Sequence, residues 1–176
     1  MLPRFLKKEG IIIHMIIRAI VFADNGEEAI EEAEMIFERF VEEGVFDYYT
    51  LFNDGTSKVS GVARWGEKPA FLLAKSKEGK REISQAMKAT KKYFFENIKE
   101  LRNLLKNYSD DEIFEDNNGW TDFRYRCYHL GRSIGSDVFL YNYEGDGILN
   151  KKQLKEILSR KSEQKKVYVV PADVHY

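Results

Sequence analysis

The chain has 176 residues, with 28 Lys and Arg against 29 Asp and Glu, and 43% of its residues are hydrophobic. This near-neutral balance excludes an indiscriminate polycation and an acidic disordered tail, while 12 Gly and three Pro exclude a low-complexity or collagen-like chain. One cysteine, Cys127, excludes a disulfide scaffold, so a reducing cytoplasm is the expected location.

The length suits one domain with a buried core. Near the N-terminus, Lys7-Lys8-Glu9-Gly10 is the peptide that a translated purine-rich ribosome-binding sequence would encode. Two readings follow for residues 1–14. They are an extension upstream of a natural start at Met15 in a prokaryotic or viral gene, or an ordinary N-terminal extension of a domain spanning 15–176. The apolar run over residues 11–23 is interrupted by His14 and Arg18. It is shorter than the ~20 apolar residues a membrane span needs, so no membrane partner is expected.

Residues 15–23 are rich in β-branched side chains and read as a strand buried on both faces. Asn25-x-x-Glu28 supplies a capping box for a helix whose Ala29, Ala33, Ile36, Phe37 and Phe40 recur at helical spacing, with Gly44 closing it. Residues 46–53 and 58–65 are expected to form a hairpin around Asp54-Gly55. A long helix over about 78–108 carries the apolar stripe Ile83, Met87, Phe94, Ile98, Leu101 and Leu105. Ser109-x-x-Glu112 caps a short helical turn that ends before an Asn117-Asn118-Gly119 loop. Residues 123–130 and 138–143 read as strands, Asn150-x-x-Gln153 opens a short helix, and residues 166–170 form a last strand. This order predicts an α+β fold, a two-layer sandwich with a mainly antiparallel sheet and helices packed on one face.

Charge is even in sum but blocked along the chain. Residues 24–54 hold 11 acidic residues against Arg39 alone, whereas residues 75–106 hold ten basic and four acidic. Lys91, Phe95, Lys99, Arg102 and Lys106 lie roughly one helical turn apart, placing an aromatic ring among cations. That combination suits phosphate contact with base stacking, so nucleic acid or an acidic protein is the expected partner.

The segment Phe123-Arg-Tyr-Arg-Cys-Tyr-His-Leu130 bears further candidates. As a strand it would place Arg124, Arg126 and Tyr128 on one face, followed by Arg132, to grip a phosphate or carboxylate with His129 nearby. Cys127 reads as a buried core thiol, since alternate strand residues lie too far apart for a Cys–His nucleophile pair. Asn142, Glu144, Asp146 and Asn150 occupy calcium-loop positions around Gly147, but Gln153 replaces the bidentate Glu. A turn leading into a capped helix explains the same residues. His14 and His175 lie near the two ends without ligand-like spacing. The aromatic residues Tyr48, Tyr49, Trp65, Trp120, Tyr141 and Tyr143 are candidates for a binding surface.

No hydrolase, nucleotide-loop or metalloenzyme motif occurs, and no catalytic residue or cofactor is assigned. The leading expectation is a non-enzymatic binding or regulatory module that uses its basic helical face. A small enzyme with an Arg/Tyr/His anion pocket is the alternative. A structural homo-oligomer joined by complementary charged faces is the third reading.

Overall fold

The computed structural model describes residues 14–116, 123–160 and 165–176. Residues 1–13, the Asn117-Asn118-Gly119 loop and Trp120 lie outside the described residues. The elements run β1 (His14–Ala23), α1 (Gly26–Glu42), β2 (Tyr48–Leu51), α2 (Val62–Trp65), β3 (Leu72–Leu73) and α3 (Lys77–Asn107). They continue as α4 (Asp110–Phe114), α5 (Phe123–Gly131), β4 (Leu140–Tyr141), α6 (Lys151–Ser159) and β5 (Lys166–His175).

The fold is α+β with a five-stranded mixed sheet in the order β2-β5-β1-β4. Its spine is the long antiparallel pair of β1 and β5, in register from His14↔His175 to Ala23↔Lys166. On the other edge of β5, β2 pairs with its C-terminal part and β3 with Tyr168 and Val169. β4 joins β1 in parallel. The sheet is thus mainly antiparallel, and one long helix dominates the rest, as expected.

Alternation along β1 assigns the helices to the sheet. Phe37 of α1 meets Tyr49, and Phe40 meets Tyr141, whose register partner is Ala19. The α1 helix therefore covers the face carrying Met15, Ile17, Ala19 and Val21. Arg18 points the other way, where its guanidinium donates to Glu82 of α3 at 2.8 and 3.0 Å. The structure adds this second contact: the first half of α3 crosses the face opposite α1. Gly79 permits the approach, because a Cβ there would lie 2.1 Å from the Leu73 carbonyl oxygen.

Three local expectations change. The apolar stripe on α3 is buried only at its start. Ile83 is buried, but Phe94 and Leu105 are 46% and 58% exposed. A 31-residue helix is about 46 Å long at 1.5 Å per residue, longer than the roughly 15 Å across four strands. The helix runs off the sheet before its apolar residues do.

The expected hairpin also ends early. Asp54 turns the chain by accepting from the Thr56 amide and hydroxyl at 2.8 and 2.7 Å, and residues 62–65 form the helical turn α2. Gly61, at φ +56°, gives its amide to Asp173 across the sheet at 2.8 Å, so this segment folds over β2 and β5. The edge of β5 that it approaches is already paired with β2.

Residues 123–131 form helix α5, not a strand. The more buried positions Phe123, Arg126, His129 and Leu130 follow a helical period, with Arg126 donating to Asn97 of α3 at 3.0 Å. Packing on α3 overrides the β-propensity of the aromatic residues. Cys127 points away and is exposed, which corrects its reading as a core thiol. The aromatic surface is corrected as well: Tyr141 is fully buried, and its hydroxyl donates to the Gly135 carbonyl at 3.1 Å.

Candidate anion-binding site

Helix formation by α5 carries the site. Its inner side and the helical face of α3 at Ser84, Met87, Lys88, Lys91, Phe94 and Phe95 enclose a pocket of about 750 Å³. The start of α6 closes it with Leu149, Asn150 and Lys151. Asn150 accepts from the amides of Lys152 and Gln153, both at 3.0 Å, and Gln153 returns a bond from the Asn150 amide. This capping box fixes where Lys151 projects.

The floor is polar and connected. The Asp137 carboxylate lies 3.3 Å from His129 Nδ1 and accepts from Asn97 Nδ2 at 3.2 Å. Arg126 extends the chain to the Asn97 carbonyl. His129 is buried, with the Tyr125 ring 4.2 Å away. Thr90 accepts from the Phe139 amide at 3.1 Å and ties the wall to the sheet. Above this floor the walls are mostly apolar, with Met87, Phe94, Phe95, Leu130, Val138 and Leu149.

Four cations, Lys88, Lys91, Arg132 and Lys151, line the pocket against the single carboxylate of Asp137. Lys91 sits 5.2 Å over the Phe95 ring, and Arg132 5.0 Å over Tyr128. Cations over aromatic faces keep their charge available while their stems cover apolar surface. An anionic group attached to a flat or apolar body matches this lining.

The structure divides the sequence-derived sets. His129 and Arg132 of the anion set line the pocket together with Lys91 and Phe95 of the helical stripe. Arg124 donates to the Phe114 carbonyl at 3.3 Å, and neither it, Arg126 nor Tyr128 lines the pocket. Their shared strand face does not exist, because α5 rotates them apart. Lys99, Arg102 and Lys106 are exposed and continue the stripe along α3 away from the pocket. In the calcium-like loop, Asn142 accepts from the amides of Glu144 and Asp146 at 2.9 and 2.8 Å, while Asn150 caps α6. These bonds build a turn. Among the described residues, no group of three or more His, Cys, Asp or Glu could hold a metal.

Sequence reasoning missed Lys88, Phe94, Asn97, Asp137 and Lys151. Lys88 lies inside the basic block over residues 75–106 and Lys151 opens a second one over residues 151–166, with seven basic and two acidic residues, but nothing local announces Asp137. The opposite side of the sheet has the opposite character. On α1, burial and the neighbouring Glu38 and Glu31 raise the Glu34 carboxyl, and burial with Glu38 and Glu34 pushes the Tyr49 phenol up to about 12. The acidic and basic blocks therefore stand on opposite faces.

A family model described as a domain of unknown function matches residues 13–176. No curated protein and no solved structure matches the chain. Among the described residues, no helix is long and apolar enough to cross a membrane.

Proposed function

The chain belongs to the DUF7995 family, a domain of unknown function, and we propose that it is a non-enzymatic module that binds single-stranded nucleic acid along α3. One observation carries this reading. Lys91 and Phe95 belong both to the pocket lining and to the exposed stripe that continues through Lys99, Arg102 and Lys106. The pocket and the basic track are thus one continuous surface. A base enters beside Phe94 and Phe95, its phosphate meets Lys88, Lys91, Arg132 or Lys151, and the following phosphates run along the stripe. The acidic α1 face, across the sheet, repels the same strand and orients it.

Anisotropy of a labelled single-stranded oligonucleotide at stepped salt tests the proposal. Affinity should fall linearly with salt on logarithmic axes. The slope should shrink by about 2 when Lys99, Arg102 and Lys106 are all changed to Gln, at ~0.7 per lost phosphate contact. No binding at low salt sinks it. The buried His129–Asp137 pair supports a second reading, a small enzyme acting on an anionic substrate in the same pocket. Turnover of a chromogenic aryl phosphate that disappears in His129→Gln would favour that reading.

A further inference from the structure

The opposite end of the sheet holds a second polar constellation, built by strand register. His14 stands opposite His175, and His175 opposite Tyr48; in the next row Asp173 stands opposite Thr50. Tyr48, His14, Asp173 and His175 consequently share one face of the sheet. Asp173 is completely buried, lies 3.1 Å from His14 Nδ1 through either oxygen, and accepts the Gly61 amide at 2.8 Å. His14 Nε2 lies 3.3 Å from the Tyr48 hydroxyl. Tyr48 stacks on His175 with ring centroids 4.9 Å apart and planes 4° from parallel, and His175 Nδ1 pairs with Asp47 at 2.8 Å.

One tautomer of His14 serves both of its contacts. With its proton on Nδ1 toward Asp173, the His14 ring offers the Nε2 lone pair to the Tyr48 hydroxyl. In that tautomer the Tyr48 phenol donates to Nε2. A hydroxyl, an imidazole base and a carboxylate that orients the base form the arrangement that activates an oxygen nucleophile. The buried partners hold the relay, while Tyr48 is 36% exposed and open to a reactant.

We propose that Tyr48 is a nucleophile at a second site, with His14 its general base and Asp173 a positioning residue. The substrate class is an uncharged activated acyl donor. Asp173 on His14 and Asp47 on His175 bring a carboxylate to each imidazole that touches Tyr48, which disfavours an anionic phosphoryl donor. As the Tyr48 oxygen bonds to the acyl carbon, its proton passes to His14 Nε2. The carbon–leaving-group bond breaks with its electron pair on the leaving group, which takes the proton from His14. The product is an acyl ester of Tyr48.

The test is p-nitrophenyl acetate with the full chain, following p-nitrophenolate release and mapping acetyl groups by peptide mass spectrometry. Tyr48 should be acetylated at least tenfold faster than Tyr128, which is 59% exposed. Tyr48→Phe should remove that acetylation, and His14→Gln should slow it at least tenfold. Added free imidazole should restore part of the lost Tyr48 rate in His14→Gln and leave Tyr128 unchanged. Should His14→Gln fail to fold, the ratio of Tyr48 to Tyr128 acetylation in the unaltered chain still decides. Acetylation of Tyr48 no faster than Tyr128, or an undiminished Tyr48 rate in a folded His14→Gln, overturns the proposal.

Discussion

The pocket beside α3 and the polar rows at the end of the sheet are built in opposite ways. The pocket draws much of its chemistry from one helix, whose Lys88, Lys91, Phe94 and Phe95 are neighbours in the chain. The sheet end draws its chemistry from three strands, and His14 and Asp173 are 159 residues apart. The pocket is mostly apolar with cations around it and suits reversible capture. The sheet end is a chain of donors and acceptors closed by a buried carboxylate, and it suits proton transfer. The pocket and the Tyr48 hydroxyl thus stand on separate supports.

The Arg18–Glu82 pair ties α3 to β1 and so connects the two supports. Both side chains are nearly buried, and removing one leaves the other charge unpaired. Glu82→Ala should cost roughly 3–5 kcal/mol in thermal or urea unfolding. Oligonucleotide binding and Tyr48 acylation should weaken together as the fold loosens. A loss below about 1 kcal/mol would show that the supports do not depend on this tie.

Phe95→Ala separates the regions. It should weaken oligonucleotide binding by about 1–3 kcal/mol through lost stacking, with Tyr48 acylation unchanged. A parallel loss of acylation would merge the two sites into one. A truncated variant that starts at Met15 gives the converse separation. A chain beginning there lacks His14 and should lose the rapid Tyr48 acylation while retaining oligonucleotide binding.

The smallest effect is expected far from both sites, where Lys165 donates to Glu28 at 2.6 Å. That bond, followed by the Asp24 amide, holds the Glu28 carboxyl below its ordinary value. A carboxyl lowered by folding stabilises the native state at neutral pH. Its contribution is lost as pH falls through the ordinary carboxylate range, near pH 4, toward the lowered value. Lys165→Gln should slightly flatten the acid side of the thermal-midpoint profile and move neither binding nor acylation. An unchanged acid limb would mean the exposed pair contributes nothing.

What was legible in the sequence follows the range of each interaction. The caps at Asn25, Ser109 and Asn150 are bonds between residues three apart, and all three form, although the expected box at Asn25 is only half made because Glu28 accepts from the Asp24 amide instead. Long helices and the β1 strand were legible from their own periodicity. The segment around Arg126 was misread because its aromatic and β-branched-like bulk suits a strand in isolation, whereas its helical form depends on Asn97 and the α3 surface. Four pocket residues were visible as candidates for anion contact, Lys91 and Phe95 on α3 with His129 and Arg132. Asp137 was not, because its partners His129 and Asn97 come from other elements. His14 and His175, remote in the chain, become neighbours only through the β1–β5 register.

The central claim is that nucleic acid enters the pocket between α3 and α5. Ultraviolet cross-linking of a 4-thiouridine-substituted single strand, mapped by peptide mass spectrometry, tests it most directly. The account predicts adducts on the α3 segment containing Phe94 and Phe95, with a second group near His129 to Arg132. Adducts confined to α1, or spread evenly over the chain, would contradict it.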